Sequence, residues 1–159
     1  MINIADVQPD AELKKMLDGK IVIHTSDTDT ATLKVYQHDE RPNTELPDDF
    51  IDIMINGIVS SLTHPLGVFK GSVAVSVYCR TNSNGSVKRY RVSEIISQLD
   101  GLIKYVKSGD FFFNLNPDNI ITPTSINVNS GYSVTVLNVE WRMNESKVDE
   151  GSIESVDIR

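Results

Sequence analysis

The chain has 159 residues, 40% of them hydrophobic and 23% charged, with 22 acids against 15 lysines and arginines for a net charge of -7; this is a globular composition, and the length allows a core without disulfide or metal staples. The charge excludes a protein whose whole surface neutralises nucleic-acid phosphates, while leaving room for a local basic patch. The longest apolar runs fall far short of the roughly 20 residues that span a bilayer, and the opening residues lack the basic region and apolar stretch of a secretory signal, so no membrane is expected and the chain should stay where it is made.

In chain order, Asp10 is placed to cap a short helix over residues 10–17, with Leu13, Met16 and Leu17 on one side and Asp18-Gly19 as its stop. Two β-prone runs, 20–24 and 32–37, flank the polar stretch 25–30 and read as a hairpin. Residues 38–49 contain Pro42, Asn43 and Pro47 and almost nothing apolar, which predicts a long loop. Residues 50–58 alternate as a strand, with Ile51, Ile53 and Ile55 facing one way; Phe50 and Met54 opposite them imply that the second face is covered as well.

The clearest strand covers 70–81, where Val73, Val75 and Val77 share a face, and it ends in the turn-rich 82–86. Its one cysteine, Cys79, has no disulfide partner and reads as a small packing residue rather than a nucleophile. From Ser93 as N-cap, Ile95, Ile96, Leu99, Leu102, Ile103 and Val106 form a helical stripe; Lys104 and Lys107 complement its C-terminal dipole, Gly109 supplies its exit, and the helix is expected to end near Ser108. Residues 110–114 and 120–128 predict short strands, and 132–143 a long one with Leu137, Val139, Trp141 and Met143 on a common face.

The expected architecture is therefore α+β: a mainly antiparallel sheet packed against one long amphipathic helix and one short N-terminal helix, forming a single domain over residues 1–143. Residues 144–159 carry five acids and two bases and form either a frayed terminus or an arm in which Ile153, Val156 and Ile158 are spaced to dock as a strand on a partner.

No reactive constellation stands out. His24, Asp27 and Asp29 lie across the predicted hairpin from His38, Asp39 and Glu40, but the two histidines fall at opposite ends of the pairing and the spacing matches no metal loop, so no metal is expected. Ser60 and Ser61 near His64 lack the glycines of a nucleophile elbow, and phosphate and dinucleotide loops are missing, so neither cofactor nor catalysis is expected.

Charge is distributed unevenly. Residues 27–52 hold eight acids and two bases, whereas 80–91 hold Arg80, Lys88, Arg89 and Arg91 and no acid. Both runs are read either as solvated loops or as opposite patches for a head-to-tail contact that closes a ring.

The order of parts over residues 46–143 resembles the tail-terminator and tail-completion neck proteins of tailed bacteriophages. The resemblance lies in Pro-Asp-Asp-Phe-Ile at 47–51, Gly-Ser-Val-Ala-Val-Ser-Val-Tyr at 71–78, the helix predicted over 93–107, and Gly-Tyr-Ser-Val-Thr-Val-Leu-Asn-Val-Glu-Trp-Arg at 131–142. It implies a structural virion protein made in the host cytoplasm: a homo-oligomeric ring, hexameric or larger, contacting portal, connector or tail proteins and passing DNA through its lumen. Arg80, Lys88, Arg89 and Arg91 would then face an acidic neighbour, Asp39, Glu40, Asp48 and Asp49 would supply complementary or lumenal charge, and Ile153, Val156 and Ile158 would belong to the arm. Two other classes remain open, a nucleic-acid-binding module using 80–91 with Tyr78 and Tyr90, and a small metal-dependent enzyme using the acidic hairpin.

Overall fold

The computed structural model of the chain describes residues 7–60, 69–127 and 131–143, with the side chains of 57–60 and 116–127 left aside. Helix α1 (Pro9–Leu17) is followed by a small antiparallel hairpin of β1 (Val22–His24) and β2 (Thr30–Thr32). Strand β3 (Lys34–Gln37) then opens a six-stranded sheet with β4 (Asp49–Ser60) and β5 (Phe69–Arg80). Helix α2 (Arg89–Leu102) leads to β6 (Val106–Ser108), β7 (Phe111–Asn127) and β8 (Tyr132–Met143). The sheet order is β3-β4-β5-β8-β7-β6, with only the β3–β4 pair parallel. The fold is α+β, and no helix among the described residues is long and apolar enough to cross a membrane.

Strand periodicity builds the core directly. Val73, Val75 and Val77 of β5 face Ile55, Ile53 and Ile51 on β4 and Val139, Leu137 and Thr135 on β8. These rows stand on one face because directly opposed residues share a side of the pleat. Leu13 and Leu17 of α1 and Val92, Ile95 and Leu99 of α2 close over that inner face, and all belong to one hydrophobic cluster with it.

Several local expectations are corrected by tertiary contacts. Helix α1 starts at Pro9, whose fixed φ suits the first helical position, and Gln8 precedes it without a side-chain cap. Asp10 instead accepts a hydrogen bond from Gln37 Nε2 at 3.2 Å. The run 32–37 does not form one hairpin arm: its start joins β2, Leu33 donates to the Ile21 carbonyl, and Lys34 onward leaves to pair in parallel with β4. Leu33 and Val35 are both buried, so the switch between sheets keeps two apolar side chains inside.

The second helix is displaced toward the N-terminus. It begins at Arg89 rather than Ser93, because Val92 extends the buried stripe one turn earlier. It stops at Leu102 rather than Ser108: the Ile103 carbonyl accepts from Leu115 N at 2.8 Å, Tyr105 turns to φ 49°, and Val106 joins the β6–β7 hairpin. Strand pairing thus captures the chain before another helical turn forms. Lys104 and Lys107 lie beyond the helix end, and Gly109 (φ 57°) serves the hairpin turn. The two strands expected over 110–128 are one, with register shifts between Leu115 and Ile120, Ile121 and Thr124, and Ser125 and Asn127 absorbing the surplus residues.

Candidate functional site

Seen from the sequence, the acidic run and the basic run are separate; the fold brings much of each together. Asp49, the first residue of β4, is paired in register with Cys79 near the end of β5. Helix α2 crosses below, and Arg91 in its first turn directs Nη1 to Asp49 Oδ2 at 2.5 Å while Nη2 donates to the His24 carbonyl at 2.6 Å. One guanidinium therefore ties α2 to both β4 and the small hairpin. Glu94, one turn on, lies 2.6 Å from His24 Nδ1 and accepts from the His24 backbone N–H at 3.0 Å. Gln98 completes the seam by exchanging two hydrogen bonds with the backbone of Val22, at 2.9 and 2.7 Å.

Asp48 and Arg80 form a second clasp across the same strand ends. Arg80 Nε sits 3.3 Å from Asp48 Oδ1, its backbone N–H donates to the Asp48 carbonyl at 2.7 Å, and its guanidinium lies 4.3 Å above the Tyr132 ring. The Tyr132 hydroxyl donates to the Pro47 carbonyl at 2.6 Å.

A third cluster covers the outer face of the sheet at this end. Phe50 stacks on Tyr78 with ring centroids 4.6 Å apart and meets Tyr36 and Tyr132 edge-on. Arg41 lies over Phe50 and Tyr78 and places Nη1 3.0 Å from Asp52 Oδ2, and His38 Nδ1 is also 3.0 Å from that oxygen. The Asp52 carboxylate is nearly buried, so two cation-capable partners offset its desolvation. The region 38–49 is consequently anchored over the outer face: His38–Glu40 forms a 3-10 turn, and the residues before Asp49 lie against Tyr132 and Arg80. The expected cover of the second face exists at Phe50 and stops at Met54, which is 42% exposed.

This geometry sorts the candidate contact residues. Arg80 and Arg91, expected to face an acidic neighbour, meet Asp48 and Asp49 within their own chain. Asp39, Glu40, Lys88 and Arg89 form no ion pair among the described residues. Ile153, Val156 and Ile158 lie outside the described residues, as do Ser61 and His64. His24 and His38 engage Glu94 and Asp52 on opposite faces of the sheet, and no group of three metal-ligating side chains converges among the described residues. The roles of His24, Arg41 and Glu94 were not legible in the sequence, since each depends on a partner brought up by tertiary packing, of α2 on the small hairpin for His24 and Glu94 and of the 38–41 segment on β4 for Arg41.

The chemistry of the junction is that of a clasp. Burial pushes the Cys79 thiol up to about 12, and the Asp49 charge adds to the shift. A thiol held protonated is a poor nucleophile. Burial likewise raises Tyr132 above its ordinary value. Comparison of the sequence with family models and with curated proteins finds no match.

Proposed function

We propose that the chain is the subunit of a ring-forming structural adaptor in a tailed-phage neck, a virion component joining tail to head connector and letting DNA through. The observation that carries this reading is the placement of four charges that form no ion pair among the described residues. Asp39 and Glu40 sit on the turn that covers the outer face of the sheet, whereas Lys88 and Arg89 stand at the start of the helix that covers the inner face. Unlike charges on opposite faces favour a head-to-tail contact, which closes a ring when the rotation allows. The sheet-and-helix order on which the phage resemblance rests supports the same reading.

The test is charge reversal read by particle mass. The wild type should give a fixed multiple of the 17.7 kDa chain in light scattering and rings in electron microscopy. Lys88→Glu/Arg89→Glu should dissociate it, and adding Asp39→Lys/Glu40→Lys should restore it. A wild type that stays monomeric at high concentration, or a ring indifferent to both reversals, rejects this contact.

A second reading is favoured by one observation: Tyr90, 92% exposed, stands between Arg89 and Arg91 beside a cleft of about 590 Å³. A protruding ring beside Lys88 and Arg89 suits stacking of an unpaired base. Loss of oligonucleotide binding in Tyr90→Ala would support it.

A further inference from the structure

The outer face of the sheet carries, at the end away from Asp49, a row of side chains that the sequence scatters over more than 70 positions. Lys70 on β5 is paired with Arg142 on β8, Arg142 with Phe112 on β7, and Phe112 with Lys107 on β6. Directly opposed residues share a face, so three cations and one aromatic ring form a line across four strands, about 14 Å long at the usual strand spacing. The Arg142 guanidinium lies 4.9 Å above the Phe112 ring. On a chain of net charge -7, such a line is a local positive stripe on an otherwise acidic body.

The neighbouring row is of different chemistry. Glu140 of β8 is paired with Asn114 of β7, and Asn114 Oδ1 accepts from the backbone N–H of Tyr105. Tyr105 has φ 49°, a conformation unfavourable for an aromatic residue, and its side chain is 81% exposed. An exposed aromatic ring thus stands at the edge of the cleft that these rows form. Lys70, Arg142, Phe112, Glu140, Asn114 and Tyr105 line this cleft of about 790 Å³, and Lys107 extends the row beyond it on β6.

The geometry points to this cleft as a binding site for single-stranded nucleic acid. Lys70 and Lys107 track the phosphates, Tyr105 and the Phe112 ring with the Arg142 guanidinium stacked on it offer planar surfaces to unpaired bases, and Glu140 and Asn114 offer hydrogen bonds to base edges. A duplex hides its base faces and could use only the cations. An acidic peptide would likewise use the cations and leave the two rings without a stacking partner. The site is distinct from the contact charges of the ring and does not require the ring to form.

The experiment uses the full chain and a labelled oligothymidine of about 12 nucleotides, followed by fluorescence anisotropy at low salt and through a salt titration. Binding should weaken steeply with salt. Lys70→Glu/Lys107→Glu should weaken it at least about tenfold and flatten the salt slope, while Phe112→Ala and Tyr105→Ala should each cost about tenfold with the slope retained. Melting curves of every variant establish that it is folded. The inference is overturned if the wild type does not bind at low salt, if a blunt duplex binds as tightly as the single strand, or if Lys88→Glu/Arg89→Glu abolishes binding that Lys70→Glu/Lys107→Glu leaves intact. The particle mass of Lys70→Glu/Lys107→Glu should match the wild type, so failure here and failure of the ring reading are separately visible.

Discussion

Arg91 Nη1 lies 2.5 Å from Asp49 Oδ2, across 42 residues of sequence, and joins the first turn of α2 to the first residue of β4. The Asp49 carboxylate is 7% exposed, and its other oxygen is buried without a hydrogen-bond partner among the described residues, so Arg91 supplies most of what compensates its charge.

Removing one member of a nearly buried pair strands the other. Arg91→Met should cost roughly 3 kcal/mol, read as a lower urea midpoint. Replacing both, as Asp49→Leu/Arg91→Met, should recover most of that loss, because no unpaired carboxylate then remains. A single variant as stable as the wild type would show that the clasp contributes nothing to stability.

Cys79 makes stability depend on alkaline pH. Its folded value lies near 12 against 9.0 ordinarily, so the unfolded chain loses this proton first and stability falls as pH rises from about 9 to about 12. The slope approaches about 1.4 kcal/mol per pH unit within that window. Tyr132, also raised by burial, acts in the same direction. Cys79→Ala should flatten the decline of the urea midpoint between neutral and alkaline buffers, and the native thiol should resist alkylation until the chain unfolds.

Ser93 lies inside α2, beyond its start at Arg89, and is exposed. Ser93→Ala should therefore change stability by less than about 0.5 kcal/mol, whereas the loss of a genuine N-cap would cost about 1 kcal/mol. Leu99→Ala, on the buried face of the same helix, should cost roughly 3 kcal/mol. Thermal melts of the two variants separate these outcomes.

Gly109 holds the β6–β7 turn at φ 57°, and a methyl group there would come within 2.7 Å of the Glu12 carboxyl carbon. Glu12 is itself held by Ser108 Oγ, which donates to it at 2.8 Å. Gly109→Ala should lower stability by about 1 kcal/mol or more. Glu12→Ala/Gly109→Ala should relieve the steric part and leave the backbone part, and a double variant no better than the single would assign the whole cost to φ.

Much of the fold was legible because it is written in local periodicity. Val73, Val75 and Val77 declare a strand face, as do Leu137, Val139, Trp141 and Met143, and the structure places all of them in the core. The ends of elements were less legible. Ile103 and Val106 fit a helical stripe as well as they fit a buried turn and a strand, and the β6–β7 hairpin decided between them. Leu33 reads as the middle of one strand, yet its backbone pairs with the small hairpin while Lys34 enters the large sheet.

What the sequence by itself determined is the α+β class, the main strands and the uneven distribution of charge, since side-chain alternation and composition act over a few residues. Only the tertiary structure decided which charges meet and which are set side by side. Asp49 meets Arg91, Asp48 meets Arg80, and Lys70, Arg142 and Lys107 fall into one row around Phe112. The physical reason is that strand register and the packing of α2 on the sheet bring together residues dozens of positions apart, and a charge acts on what lies within a few ångströms of it, wherever that partner stands in the chain.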